Sequence, residues 1–206
     1  MNSLINNLIE RGYLKSSHII DAFANIERIE FVPKELESQA NTNIPLPIGY
    51  GQTISQPMTV AIMLELLDPQ KGQNILDIGC GSGWTTALLA HIVGKTGKVT
   101  GVERIKELAE ISQQNVNKYK FIDEGIVEIY NADGSLGLEK NAPYDRILVS
   151  AMAEEVPQAL KNQLKVGGKM VIPVHNAIWY LEKKSPEEFY KEEFSGFTFV
   201  PLVVKG

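Results

Sequence analysis

Cysteine is nearly absent: Cys80 is the only one in 206 residues. A lone cysteine excludes an internal disulfide framework and a cysteine zinc cluster, and points to a reducing compartment. Histidine is also scarce. His18, His91 and His175 are scattered along the chain and share no metal-ligand spacing, so no metal site is expected. An excess of basic residues is missing too. Lys and Arg number 20 against 25 Asp and Glu, a formal net charge of -5, which argues against a chain built to coat nucleic acid. No apolar run reaches the ~20 residues that span a bilayer, and the mean hydropathy is -0.09. Glu10 and Arg11 fall where a signal peptide would be apolar. A cytoplasmic protein that neither crosses a membrane nor binds nucleic acid is therefore expected. No internal repeat or low-complexity segment interrupts the chain.

What is present is 44% hydrophobic residues in an ordered alternation. Leu4 to Glu10 reads as a short amphipathic helix ended by Gly12, and Ser16-Ser17 can cap a second carrying Ile19, Ile20, Phe23 and Ile26. Pro33, Pro45, Pro47 and Pro57, with Gly49 and Gly51, exclude a long helix over 32–57. An irregular segment of that length in a compact domain is usually functional. From Pro57 onward helices and strands alternate. Helices are expected over Thr59–Leu67, Trp84–Val93, Ile105–Tyr119 and Val156–Leu164. Strands are expected over Asn74–Ile78, Lys98–Val102, Val127–Tyr130, Tyr144–Ser150 and Lys169–Val174, with a closing pair at Ile178–Lys183 and Phe194–Val200. The Lys- and Glu-rich run Glu182–Glu193 reads as a solvated hairpin or loop. Such alternation predicts an α/β fold with a doubly wound, mostly parallel sheet, helices on both faces and a helical N-terminal region. Ligands then bind beyond the carboxyl ends of the strands.

The strongest local signal sits at such an end. Leu76-Asp77-Ile78-Gly79-Cys80-Gly81-Ser82-Gly83 places three glycines between a strand and a helix. They allow a tight turn and a close backbone approach, and the helix start offers free N–H groups. The dinucleotide pattern G-x-G-x-x-G fails, because Trp84 stands where its third glycine belongs. Asp77 before the loop would repel a pyrophosphate and suits an ammonium group. Glu103 ends the next strand, where a carboxylate accepts from both hydroxyls of a ribose. Asp133-Gly134 follows the third strand, where Asp133 can accept from an exocyclic amine such as that of adenine. Ammonium, carboxylate, ribose and adenine without phosphate describe S-adenosyl-L-methionine. His91 and Trp84 read first as packing residues, and Cys80 as a small packing residue rather than a reactive thiol. Taken alone, Ser55 reads as a turn residue before Gln56-Pro57.

These features resemble the class I methyltransferases, and the rest of the chain resembles one family of them. Leu46 to Pro57 (LPIGYGQTISQP) is similar to the signature of the protein-L-isoaspartate O-methyltransferases. So are Glu27–Pro33, Ala142–Ile147, Ala153–Leu160, Leu164–Pro173 and Phe199–Leu202, in the family's order. The resemblance implies a seven-stranded Rossmann-like methyltransferase sheet and a single domain over 1–206. Residues 1–56 would form the N-terminal helices and a substrate-side loop, and 57–206 the cofactor-binding core. It implies a cytoplasmic repair enzyme that methylates the free α-carboxylate of L-isoaspartyl residues in damaged peptides and proteins, leading through a succinimide to aspartate. S-adenosyl-L-methionine would be the cofactor, S-adenosyl-L-homocysteine the product, and no metal would be needed. By position, Ser55 is the active-site residue. Thr53, Ile54, Asp77, Gly79, Gly81, Ser82, Gly83, Glu103, Arg104, Asp133 and Gly134 would hold cofactor. Ile48, Gln52, Ser55, Ser150, Ala151, Pro173 and Val174 would hold substrate. A monomer is the expected state. Met58, Cys80, Asn131 and His175 depart from the family's usual residues, the first and last on the substrate side. Two alternatives stay open: a methyltransferase acting on a small molecule or RNA, and a non-catalytic module that binds the cofactor.

Overall fold

The computed structural model describes residues 3–203. Two helices open the chain, α1 (Ser3–Glu10) and α2 (Ser17–Asn25). Gly12, at φ 73°, ends the first turnaround, and its N–H donates to the Ile9 carbonyl. Two short 3-10 turns follow, then a β-hairpin of β1 (Leu46–Gly49) and β2 (Gln52–Ile54). Its two-residue turn is Tyr50-Gly51, both at positive φ, the geometry that matches strand twist in a tight hairpin. The proline-rich segment is thus partly regular, which its composition did not reveal.

After α3 (Pro57–Leu67) come β3 (Asn74–Ile78), α4 (Trp84–Val93), β4 (Lys98–Glu103), α5 (Lys106–Asn117) and β5 (Val127–Asn131). They are followed by β6 (Tyr144–Val149), α6 (Gln158–Gln163), β7 (Leu164–Val174), β8 (Ala177–Lys183) and β9 (Phe189–Ser195). The seven-stranded sheet runs β5-β4-β3-β6-β7-β8-β9. The first five are parallel neighbours, and β8 and β9 add an antiparallel meander. The chain winds outward from β3 through β4 to β5, then returns to start β6 on the other side of β3. That reversal opens a crevice at the carboxyl ends of β3 and β6.

Alternate residues of each strand feed opposite faces. Ile75, Val99, Val127 and Leu148 join one core with the buried sides of α1 to α5. Leu76, Val102, Ile147 and Met170 join the other with Leu160 of α6 and Tyr144. Helices therefore cover both faces, unevenly.

Several boundaries differ from expectation, and β7 starts at Leu164 rather than Lys169. The helix at Val156–Leu164 is only α6, because Pro157 is its N-cap and Leu164 already pairs with Tyr144 in β7. The helix at Ile105–Tyr119 starts and stops inside those limits, as α5. The last strand is β9, not Phe194–Val200: Gly196 at φ 97° ends it, and the charged run FYKEEF is the strand. Its exposed Lys191, Glu192 and Glu193 suit an edge that must not pair with another sheet. Finally, Ser16 does not cap α2 with its own side chain. Its Oγ donates instead to Glu65 Oε2 at 2.7 Å, while Lys15 N and Ser16 N donate to Glu65 Oε1 at 2.8 and 2.9 Å. A carboxylate of α3 thus sits at the positive end of α2. Glu65→Ala removes all three bonds and is expected to cost about 1–2 kcal/mol in urea unfolding, more than Ser16→Ala. Equal stability of Glu65→Ala and wild type would refute the role.

Candidate active site

The cleft forms where the reversal places it. Past Ile78 the chain turns through Gly79-Cys80-Gly81-Ser82-Gly83 into α4. Gly79 N and Cys80 N donate to the Val102 carbonyl at 2.8 and 3.3 Å, which ties the loop to the end of β4. Glu103, 6% exposed, completes the tie. Its Oε2 accepts from Gly81 N and its Oε1 from Ile105 N, both at 3.0 Å. One carboxylate therefore spans the glycine loop and the start of α5, and each oxygen keeps a second lone pair on a residue that lines the cleft.

Two glycines have packing reasons. A Cβ on Gly83, at φ 94°, would lie 2.6 Å from Ser112 Oγ and 2.8 Å from Val116 Cγ2, so the start of α4 packs directly on α5. A Cβ on Gly134 would lie 2.4 Å from Ile78 Cγ2, so the turn after β5 rests on the end of β3.

Four groups of residues meet around this floor. The hairpin side brings Ile48, Gln52, Thr53, Ile54 and Ser55. The glycine loop brings Gly79, Gly81 and Ser82, with Trp84 and Thr85 of α4. Glu103, Arg104 and Gly134 line the side of β4 and β5. Ser150 and Ala151 close the end of β6, where Ser150 N donates to the Ile78 carbonyl at 2.8 Å. The structure thus brings together most of the candidates read from the sequence.

Five candidates stand apart from the wall. Asp77 is fully buried beneath the loop, its Oδ2 accepting from Thr85 Oγ1 at 2.8 Å and Thr86 Oγ1 at 2.6 Å. It reaches the cleft only through the first turn of α4. Gly83 faces α5. Asp133 Oδ1 accepts from Ser135 N and Oγ at 2.9 and 2.7 Å, so this side chain shapes its own turn while Gly134 lines the cleft. Pro173 and Val174 lie behind the segment 151–153, which Ala153 N ties to the Pro173 carbonyl. Met58 and His175 also lie off the wall. Met58 N is held by Asn43 Oδ1, and His175 is an exposed residue at φ 51° between β7 and β8.

The sequence reading missed the tail. Val200 to Val203 form one side of the cleft. Met152 N donates to the Val200 carbonyl at 2.8 Å, and Leu202 N donates to the Met152 carbonyl at 2.7 Å. No residue type signals this, because it depends on backbone pairing across the fold.

The groups beneath the loop are acidic and buried. Burial pushes Asp77 up to about 6 against the pull of the Thr86 and Thr85 hydroxyls, and Glu103 adds repulsion. Burial, then the charges of Asp77 and Glu103, hold the Cys80 thiol well above its usual range, so it is no thiolate nucleophile. Asp77 Oδ1, Ser82 Oγ and Trp84 Nε1 are buried polar atoms without partners, all at this loop and helix start. A cleft with a negative floor, unpartnered side-chain polar atoms at the helix start and a carboxylate at the end of β4 fits a cation-bearing nucleoside. Among the described residues no group of three or more His, Cys, Asp and Glu could hold a metal.

The profile of the protein-L-isoaspartate(D-aspartate) O-methyltransferases (PCMT) matches residues 1–206. This chain belongs to that family. The Methanopyrus kandleri protein-L-isoaspartate O-methyltransferase is 44% identical over 204 residues, covering 97% of this chain and 89% of the relative. The Methanococcus vannielii enzyme of that name is 43% identical, covering 98% and 97%. Among solved structures, a protein-L-isoaspartate O-methyltransferase superposes with a TM-score of 0.87 at 30% identity, covering 98% of this chain and 65% of the other. A Plasmodium falciparum structure described as an enzyme of this kind, in complex with S-adenosyl-L-homocysteine, also gives 0.87, at 26% identity and covering 98% and 97%. The seven-stranded fold described above is therefore the fold of these solved structures. No helix of the described residues is long and apolar enough to cross a membrane.

Proposed function

We propose that this chain is a protein-repair methyltransferase. It transfers a methyl group from S-adenosyl-L-methionine to the free α-carboxylate of L-isoaspartyl residues in damaged peptides and proteins. The observation that carries this reading is the junction of Ser55 and the hairpin with the glycine loop and Glu103 in one cleft, in a chain whose relatives bear that name. The cofactor supplies an electrophilic methyl group on a sulfonium.

The rest is positioning. Gly79, Gly81 and Ser82 present the loop backbone to the methionine end. Glu103 receives the ribose, beside Arg104. Gly134, on the turn that Asp133 shapes, borders the base. Thr53 and Ile54 run alongside, and Asp77 supplies negative potential from below. On the acceptor side, Ile48, Gln52 and Ser55 face Ser150 and Ala151. The acceptor carboxylate, with an ordinary pKa near ~4, is already ionised at neutral pH and needs no base. The chain's residues would have only to hold that carboxylate in line with the methyl group, and no side chain would have to take up or give a proton. Ser55 donates a hydrogen bond that aims the carboxylate, and water displaced by the bound ligands would leave the attraction between opposite charges less screened. The ester then closes to the succinimide away from the enzyme.

Residues 1–206 act as one methyltransferase unit on this reading, with 1–56 on the acceptor side and 57–206 holding the cofactor. Support comes from the edge-to-face contact of Phe23 with Trp84 at 5.5 Å between ring centroids.

The test is transfer of labelled methyl to matched isoaspartyl and aspartyl peptides. Base-labile label is expected on the isoaspartyl peptide alone. Ser55→Ala is expected to lower kcat/KM about tenfold with S-adenosyl-L-homocysteine affinity kept, the loss of one hydrogen bond to a charged group. Equal labelling of both peptides, or of neither, would overturn the reading.

A further inference from the structure

Arg28 lies outside the cleft and yet its guanidinium is 4% exposed with no carboxylate within ion-pair distance among the described residues. A buried charge normally requires a partner. Here the partners are four carbonyl oxygens from two segments. Nη1 donates to Ala40 at 2.9 Å and Thr42 at 3.3 Å, and Nη2 donates to Ile44 at 2.9 Å and Ser55 at 3.2 Å. The guanidinium also sits over the Trp84 ring, 5.4 Å from its centroid. The far side of the same loop is held by Asn43, whose carbonyl accepts from Gln56 Nε2 and whose Oδ1 accepts from Met58 N, both at 2.9 Å. Ser55 is thus gripped on each flank, and Arg28 is the only charged group among the grips. Only a planar fork with several donors reaches carbonyls of two segments at once. Burial lowers the group to about 10, so it remains cationic at neutral pH.

We propose that Arg28 is the positioning residue of the acceptor side: its guanidinium fixes the backbone at Ser55, and its unneutralised charge behind Ser55 selects an anionic acceptor. The proposal rests on the acceptor reading given above. A sulfonium gains nothing from a cation there, whereas a carboxylate placed by Ser55 does. Burial keeps solvent from screening the guanidinium, which extends the reach of that charge. Arg28 does not touch the reacting atoms, so its effect should appear in acceptor binding and aim, not in cofactor binding.

The experiment compares wild type, Arg28→Gln and Arg28→Lys. It measures the affinity of an isoaspartyl peptide and of the same peptide with its α-carboxyl amidated, both with saturating S-adenosyl-L-homocysteine, together with KM, kcat and the affinity for S-adenosyl-L-homocysteine itself. Wild type should prefer the acid to the amide. Arg28→Gln should raise the peptide KM about tenfold and abolish that preference, with S-adenosyl-L-homocysteine affinity within about twofold of wild type. Arg28→Lys should keep the preference and lose kcat, because charge remains while the fork is gone. A purely structural role would weaken acid and amide alike, so an unmoved preference in Arg28→Gln overturns the proposal. So does loss of cofactor affinity in step with peptide affinity. If Arg28→Gln does not fold by thermal melting, Arg28→Lys decides: unchanged kcat and KM overturn the proposal, and a lowered kcat with acid preference kept supports it. Wild-type transfer to the isoaspartyl peptide is the control, since its absence would sink the acceptor reading rather than the role of Arg28.

Discussion

Glu103→Ala is expected to weaken S-adenosyl-L-homocysteine binding about a hundredfold in calorimetry. The size follows from counting bonds. A carboxylate that accepts from both ribose hydroxyls makes two charge-assisted hydrogen bonds, each worth about 1.5–3 kcal/mol. Part of that is recovered by water when the side chain is removed, which leaves about 3 kcal/mol, or a hundredfold. The same truncation leaves Gly81 N and Ile105 N without their acceptor, so the glycine loop loses its tie to the start of α5. Glu103→Gln separates the two effects. It keeps one oxygen for the loop and loses the second acceptor, and should fall between wild type and Glu103→Ala. A loss below about threefold in Glu103→Ala would remove Glu103 from the cofactor site.

Asp77→Asn is expected to change how stability depends on pH. Asp77 is fully buried and titrates near 6 in the folded chain, against 3.8 for its ordinary value, because burial disfavours the ionised form. The folded state therefore holds this proton more tightly than the unfolded chain. The stability this gives is fully present below about pH 4 and is lost as pH rises through about 6. Above that, ionised Asp77 costs the ligand-free protein about 3 kcal/mol. The amide oxygen introduced by Asp77→Asn would still accept from Thr85 and Thr86 without titrating. The stability of wild type relative to Asp77→Asn should fall by that amount between about pH 4 and pH 7.5, measured by urea unfolding without ligand. Parallel pH curves for the two proteins would show that Asp77 keeps an ordinary pKa. The charge is retained although it costs stability, as expected where a negative potential beneath a cationic ligand is useful.

The parts of this site that the sequence disclosed share one property: each is local. Gly79, Gly81 and Glu103 stand at strand ends, and strand ends follow from apolar runs bounded by glycine. β3 and α4 match their expected limits residue for residue. What stayed hidden depends on contacts between distant segments. The depth of Asp77 is set by α4 folding back over it. Glu65 at the start of α2 replaces a cap that Ser16-Ser17 advertised. The tail reaches the cleft only because Met152 offers it backbone partners. β9 was hidden for another reason: an exposed edge strand carries charges where a half-buried strand alternates, so FYKEEF imitates a loop. The strand order beyond β7 was likewise invisible: the sequence suggested a closing pair but not its place in the sheet.

Trp84 opens the helix behind the glycine loop, receives the edge of Phe23 on α2 and lies beneath Arg28. The indole that lines the cleft is therefore also the anchor of the N-terminal region. Acceptor choice in this fold is consequently not a cassette. Exchanging residues 1–56 for those of a relative would alter the floor under the cofactor along with the rim that meets the peptide. New acceptor specificities are expected from changes that leave Phe23, Arg28 and Trp84 in register, at Gln52 and Thr53 of the hairpin and in the tail, where the chain touches the cleft without carrying that shared core.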